Sequence, residues 1–547
     1  MKLQIILISF LASTINCEND LKAPEVEISN GLLQGVHEKS FNGRIFSSFH
    51  GIPYARPPVG ELRFEAPKEP YNWTGIWIAN TKHTCLQTIL KSIITGDEDC
   101  LYLNVYVPRA NPSPSDNFNV IVHIHGGGFS MGSGHEYGPK YLMDEEVIVV
   151  TMNYRLGPFG FLSTQDEIVP GNNGLKDQAL SLQWIQKNIK YFGGNPNSVT
   201  ITGVSAGGSS VHLHYFSPLS KGKFHRGVSQ SGCALNPWAI AHAPGKSATQ
   251  LADILGCPTE TSKELIDCLK SRSGIKIAEA LKSLSAVWPL TYVPVVEPEH
   301  DGAFLTQHPY NMLLDKTVTD VPWISSVVGR EGLIAYMLIP EVLSKVGENF
   351  ESSIPHILLY NDNDEDVQKI VTDKIREYYF KENFVNVAEN VIDILGDRFF
   401  LSGTGVALKL QAIANKSPVY FYNFRYRGEH SLDELFGSKL NSSDVAHGDD
   451  IQYYLHISAF GESLSESDAR MKSIFTQWLS SFAETDEPKI EGVKWNAVSG
   501  GDVIEYLNFK DPDNLLADVT RDLGAGSFWS NLPLKENELQ KRIKDEL

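Results

Sequence analysis

Gly203-Val204-Ser205-Ala206-Gly207 fits G-x-S-x-G, a pattern that seats a serine on a strained strand-to-helix turn with its hydroxyl presented as a nucleophile. The flanking glycines let neighbouring backbone pass close to that turn. Gly128-Phe129-Ser130-Met131-Gly132 fits the same pattern, so the pentapeptide alone does not choose between Ser130 and Ser205. Context does. An apolar, β-branched run at 198–202 precedes Ser205, and small residues able to open a helix follow it. Ser130 lies inside a Gly-rich stretch, 126–134, with no helical pattern behind it. His125-Gly126-Gly127-Gly128 accounts for that stretch, because glycines after a strand can turn backbone amides toward one point with no Cβ in the way of a substrate. The amide of Ala206, next after the nucleophile, adds a donor. A serine nucleophile beside convergent amides is equipment for attack on a carbonyl carbon and for binding the oxyanion that results.

Such a serine needs a base and a carboxylate to orient the base, and with a strand-to-helix elbow they follow in the order Ser, acid, His. His447 stands in Val445-Ala446-His447-Gly448-Asp449-Asp450, a loop after the apolar run 419–424, whereas most other histidines sit in polar stretches without such context. For the acid, Glu331-Gly332 follows the apolar run 323–328, which places a carboxylate at a strand end. Asp301 and Asp320 are the rivals.

These residues require a scaffold of strands that end at one edge. Residues 101–107 alternate in polarity, while 120–124 and 147–152 are short apolar, β-branched runs of the kind a sheet buried on both faces needs. Leu175, Ala179, Leu182, Ile185 and Ile189 recur on one helical face, closed by Gly193-Gly194. Met471, Ile474, Phe475, Trp478 and Phe482 mark a late amphipathic helix. Strands alternating with helices predict an α/β protein with a largely parallel central sheet and helices on both faces.

With 547 residues and 42% hydrophobic content the chain can bury one large core. No internal period or low-complexity linker divides it, so one domain is expected over 18–543. The net charge of −19, with no dense Lys/Arg run, argues against nucleic acid as a partner. Lys2 followed by the apolar run 3–12 reads as a signal peptide over 1–17, too short to span a bilayer. Lys544, Asp545, Glu546 and Leu547 spell the address read by the retrieval receptor of the endoplasmic reticulum. No other apolar run is long enough to cross a membrane, and a luminal protein is expected.

Six cysteines suit an oxidising compartment. Cys17 leaves with the signal peptide, and spacing suggests Cys85 with Cys100 and Cys257 with Cys268. Loops of that size gain about 3 kcal/mol per bridge in the chain-entropy account. Cys233 is left over and reads as a small buried hydrophobe. Asn72, Asn415 and Asn441 begin N-x-S/T sequons that such a compartment would permit to be glycosylated.

The elbow, the His-Gly-Gly-Gly loop, Glu98-Asp99-Cys100-Leu101, Asn153-Tyr154-Arg155-Leu156-Gly157 and Gly174-Leu175-Lys176-Asp177-Gln178 together resemble the type-B carboxylesterases, most of all those of insects. The resemblance runs from about Val26 to the late helix ending near Phe482. It implies an α/β-hydrolase fold, a triad of Ser205, Glu331 and His447, and an oxyanion hole from Gly127, Gly128 and Ala206. It also implies the two disulfides, a supporting hydroxyl at Ser231, no cofactor or metal, and a small ester as substrate. The acid motif departs from the family pattern, because Gly329-Arg330 precede Glu331 where small or acidic residues are usual. Cholinesterase chemistry is disfavoured, since the segment between Cys85 and Cys100 holds no Trp or Tyr for a cation-π contact with a quaternary ammonium. Lipid and hormone esters would use the same machinery, although relatives acting on juvenile hormone usually carry Gln where Val204 stands. A binding or adhesion member of the family typically loses the Ser or the His, and this chain keeps both.

Overall fold

The computed structural model describes residues 21–537 apart from 90–91, 242, 285–289, 335–345, 347–348, 381–386 and 436–443. The predicted signal peptide, the retrieval tetrapeptide and Asn441 lie outside the described residues. Eleven strands form the main sheet: β1 Val36–Lys39, β2 Ile45–Pro53, β3 Tyr102–Val107, β4 Phe118–Ile124, β5 Val147–Met152, β6 Gly194–Val204, β7 Arg226–Gln230, β8 Trp323–Val328, β9 Val419–Phe424, β10 Ile504–Asp511 and β11 Asn514–Thr520. Their spatial order is β11, β10, β9, β8, β7, β6, β4, β5, β3, β2, β1. From β5 to β10 every neighbouring pair is parallel. The edges are antiparallel, β1 to β2 to β3 to β5 on one side and β10 to β11 on the other.

Both faces of the parallel centre are covered, and the alternation of side chains along β4 shows how. Val120, Val122 and Ile124 pack in one apolar cluster with Leu175, Leu182 and Ile185 of helix α1, Asn173–Asn188. Ile121 points the other way, into a cluster with Phe475, Trp478 and Phe482 of the late helix, Glu466–Thr485. Burying a side chain of this kind contributes about 1.5–3 kcal/mol relative to exposure, so the short β-branched runs are held by the helices above and below them.

The sequence boundaries need correction at three places, the first being β4, which begins at Phe118 rather than at residue 120. Leu101 precedes β3 rather than opening it. The first helix does end at the glycines, through a single 3-10 turn, Ile189–Phe192, and a left-handed Gly193 with φ 85°. Gly194, however, already belongs to β6, which bulges between Gly194 and Val199 and is longer than the apolar run 198–202 alone indicates. Cys85 is bridged to Cys100 and Cys257 to Cys268. Cys233 is unbridged and buried, and its burial pushes the thiol up to about 11, which leaves it an inert thiol at neutral pH. No helix among the described residues is long and apolar enough to cross a membrane.

Candidate active site

The chemistry collects where the parallel strands end. His125 follows β4, Ser205 follows β6, Ser231 follows β7, and the turn carrying Glu331 follows β8, which is where an open α/β sheet leaves a crevice for ligands. His447 arrives on the long connection after β9.

Ser205 is the junction between β6 and helix α2, Ala206–His214, with φ 60° and ψ −123°. A non-glycine residue held in such a conformation costs on the order of 1–3 kcal/mol and persists only where its surroundings impose it. They do so here. The Ser205 amide donates to the Gln230 carbonyl at 2.8 Å. A Cβ on Gly207 would overlap the carbonyl oxygen of Ile124, and one on Gly232 would overlap that of Ser205. Gly207 of the elbow is therefore set by close backbone approach from the end of β4, and Gly232 of the loop after β7 by the approach of the elbow itself.

The His-Gly-Gly-Gly loop lies against this turn, since a Cβ on Gly126 would stand 3.2 Å from Cβ of Ser205. Gly127 and Gly128 have φ of 97° and 62°, and no hydrogen bond engages either amide among the described residues. The Ala206 amide opens α2, where the helix itself offers it no acceptor. His125 serves the loop rather than the reaction. Its ring stacks on Tyr154 at 4.4 Å, Tyr154 donates to its carbonyl at 3.0 Å, and burial pushes its pKa down to about 4, so it stays neutral. Ser130 donates to the Gly128 carbonyl at 3.1 Å and its amide to Gly127; it closes the turn of the loop and faces no base.

Glu331 is buried on a 3-10 turn, Glu331–Leu333. Its Oε1 accepts from the Val328 amide at 2.9 Å and its Oε2 lies 2.6 Å from Nδ1 of His447. The rival carboxylates are elsewhere: Asp301 sits in an exposed turn, and Asp320 accepts from the amides of Lys416 and Ser417 ahead of β9. The His447 ring packs on Phe400 at 4.6 Å. Its Nε2 is buried with no partner among the described residues. No hydrogen bond joins it to Ser205 in this structure; catalytic hydrogen bonds are in general often long without substrate and tighten in its complex. The two segments are nonetheless packed together, for a Cβ on Gly448 would lie 3.5 Å from Cγ2 of Val204. Ser231 has φ 49°, donates its amide to the Ser326 carbonyl at 3.0 Å, and buries its hydroxyl without a partner among the described residues.

A family model described as the carboxylesterase family matches residues 22–524. The chain belongs to the carboxylesterase family. Its members are serine hydrolases, and this chain is a carboxylic ester hydrolase. It is 38% identical to venom carboxylesterase-6 of Apis mellifera, covering 98% of this chain and 99% of that relative. Esterase FE4 of Myzus persicae is 39% identical, over 90% of each chain. Among solved structures, a juvenile hormone esterase from Manduca sexta with OTFP covalently attached is similar at a TM-score of 0.84 and 28% identity, covering 93% of this chain and 99% of that one.

Three parts of the candidate site escape sequence reasoning. Asp449 pins the His447 loop, accepting from the Ala446 amide at 2.8 Å, the Leu432 amide at 2.7 Å and the Ser431 hydroxyl, while burial pushes its pKa up to about 7. Asp450 lies in a buried cluster, where one oxygen accepts from Tyr422, Gln230 and Ser326. Two adjacent aspartates straight after His447-Gly448 are the signal for both. The third is the cavity. A space of about 670 Å³ is lined by Trp238, Ile240, Leu290, Val293 and Leu359 among others, and by neither Ser205 nor His447. It adjoins them through its walls: Leu290 contacts the position of Gly128, and Trp238 packs on both Phe129 and Phe400.

Proposed function

We propose that this esterase works through an acyl-enzyme on Ser205, on uncharged esters whose apolar part occupies the cavity beside the oxyanion loop. The observation that carries the reading is the buried Glu331–His447 pair at 2.6 Å, which commits Nδ1 and leaves Nε2 as the nitrogen able to take a proton. His447 takes the proton of Ser205 as the hydroxyl attacks the ester carbonyl, and Glu331 holds the tautomer and steadies the imidazolium. The amides of Gly127, Gly128 and Ala206 receive the oxyanion. The alcohol leaves with the proton from His447, and water then attacks the acyl-enzyme by the reverse sequence, returning the serine and releasing the carboxylate.

The apolar side chains of the lining, Trp238, Ile240, Leu290 and Val293, suit aliphatic and aromatic substituents, while Lys246, Asp253 and Asp362 stand along the same space. A series of p-nitrophenyl esters tests this. We expect kcat/KM to rise from the acetate toward the hexanoate, by roughly 4-fold for each methylene buried at about 0.8 kcal/mol, and choline esters to be poor substrates. Preference for choline esters, or no hydrolysis across the series, would contradict it.

The site of action we propose is the lumen of the endoplasmic reticulum. The apolar run 3–12, the terminal Lys544 to Leu547 and two disulfides support that compartment. Of the two sequons described, Asn72 is exposed, whereas the Asn415 side chain donates to the Val321 carbonyl at 3.0 Å, so Asn72 is the better glycan acceptor. Expressed in cultured cells, the full chain should stay inside them, and deletion of residues 544–547 should send it to the medium. Equal secretion of both forms would remove the retrieval reading.

A further inference from the structure

Arg330, the residue before the proposed acid, is densely connected. Its amide donates to the Val445 carbonyl at 3.0 Å, and the two segments form a parallel bridge at Arg330 and Ala446. The acid-bearing turn and the base-bearing loop are thus joined through main chain one residue before Glu331 and two before His447. The guanidinium continues the joint. Nη1 lies 3.1 Å from Asp444, and Nη2 lies 2.8 Å from Glu389 and 3.1 Å from Asp393 of helix α3, Val387–Gly396. Helix α3 also backs the acid turn directly, because a Cβ on Gly332 would overlap the Ile392 carbonyl. The carbonyl of Asp444 accepts from Nη1 of Arg427 at 2.9 Å.

We propose that Arg330 is a positioning residue for the Glu331–His447 pair, fixing the spacing between the turn that carries the acid and the loop that carries the base. The inference rests on the catalytic reading of Ser205, Glu331 and His447 given above. An isolated exposed ion pair would contribute little. Arg330 differs in that one planar fork meets three carboxylates from two elements, a task a lysine point charge performs poorly. Without it, Glu389, Asp393 and Asp444, each about half exposed, lose the cation that bridges α3 to the His447 loop and keep only a water-screened repulsion. The 2.6 Å contact between Glu331 and His447 spans that same joint. A displacement on the order of 1 Å at a catalytic pair costs up to about 10²-fold in turnover.

The test measures kcat and KM per active site, with sites counted by titration with a fluorophosphonate, for the parent chain and for Arg330→Ala, Arg330→Lys, Asp444→Asn and the Arg330→Ala/Asp444→Asn double variant. We expect kcat of Arg330→Ala to fall about tenfold with KM within about twofold. Arg330→Lys should recover part of the loss, and the double variant should fall no further than Arg330→Ala, since both changes break one joint. A titrated Arg330→Ala that turns over within about twofold of the parent, or a double variant whose losses multiply, overturns the inference. If Arg330→Ala does not fold, unchanged kcat in both Arg330→Lys and Asp444→Asn overturns it. Ser205→Ala, run alongside, keeps the readings apart: an active Ser205→Ala sinks the triad, whereas an inactive one beside unaffected Arg330 variants sinks only the role of Arg330.

Discussion

Ser205→Ala is expected to lower kcat for a p-nitrophenyl ester by about 10⁶-fold, the scale on which loss of a triad serine is felt, while the folded protein persists. The two halves of that expectation have different causes. Turnover is expected to disappear because, among the described residues, the two serines nearest the elbow cannot replace it: Ser130 donates to the Gly128 carbonyl, and the Ser231 hydroxyl is buried. The fold survives because alanine occupies the same φ of 60° at no greater cost than serine, and the Ser205 amide keeps its bond to Gln230. The readouts are ester hydrolysis and the thermal midpoint, measured on one preparation. Hydrolysis within about tenfold of the parent would move the nucleophile elsewhere.

The second large effect concerns Glu331→Gln, for which a loss of about 10⁴-fold in kcat is expected, or about 5.4 kcal/mol. Size and shape barely change, so the argument rests on hydrogen bonds. The Val328 amide is buried and needs an acceptor, which Oε1 of Glu331 supplies at 2.9 Å. In the glutamine variant the amide oxygen must stay on Val328, because an NH₂ group there would face another donor. The NH₂ group is then left facing Nδ1 of His447. Nδ1 becomes the acceptor, the ring proton moves to Nε2, and the nitrogen that should take the serine proton already carries one. Retention of more than a tenth of parental kcat by Glu331→Gln would exclude Glu331 as the orienting acid.

How far the site can be read from the chain depends on whether a residue's role is local. The elbow is local: small residues between an apolar strand and a helix specify Ser205, and the structure places it at that junction. The strands 147–152, 323–328 and 419–424 are legible to the residue because β-branched and aromatic runs buried on both faces leave little freedom in their ends. The motifs Asn153 to Gly157 and Gly174 to Gln178 are legible as a pattern but not as a cause. Their cause is the buried pair between Arg155 and Asp177, at 2.7 Å and 2.8 Å, which ties the end of β5 to α1. Long-range packing is where reading fails. Nothing near Glu331 in the chain announces that Arg330 meets helix α3 and Asp444, and the walls of the cavity come from segments around 238, 290 and 359 that only the fold brings together. Among the described residues three small sheets, of two or three strands each, lie outside the main one. Their strands are two to four residues long, too short to establish a period.

The identity of the nucleophile is the central claim, and the chain supplies its own competitor in Ser130. The most direct measurement is to treat the folded protein with a fluorophosphonate and locate the adduct by peptide mass spectrometry. One phosphonyl group should appear on Ser205, Ser130→Ala should label at the parental rate, and Ser205→Ala should carry no adduct. An adduct on Ser130, or labelling that survives in Ser205→Ala, would contradict the account.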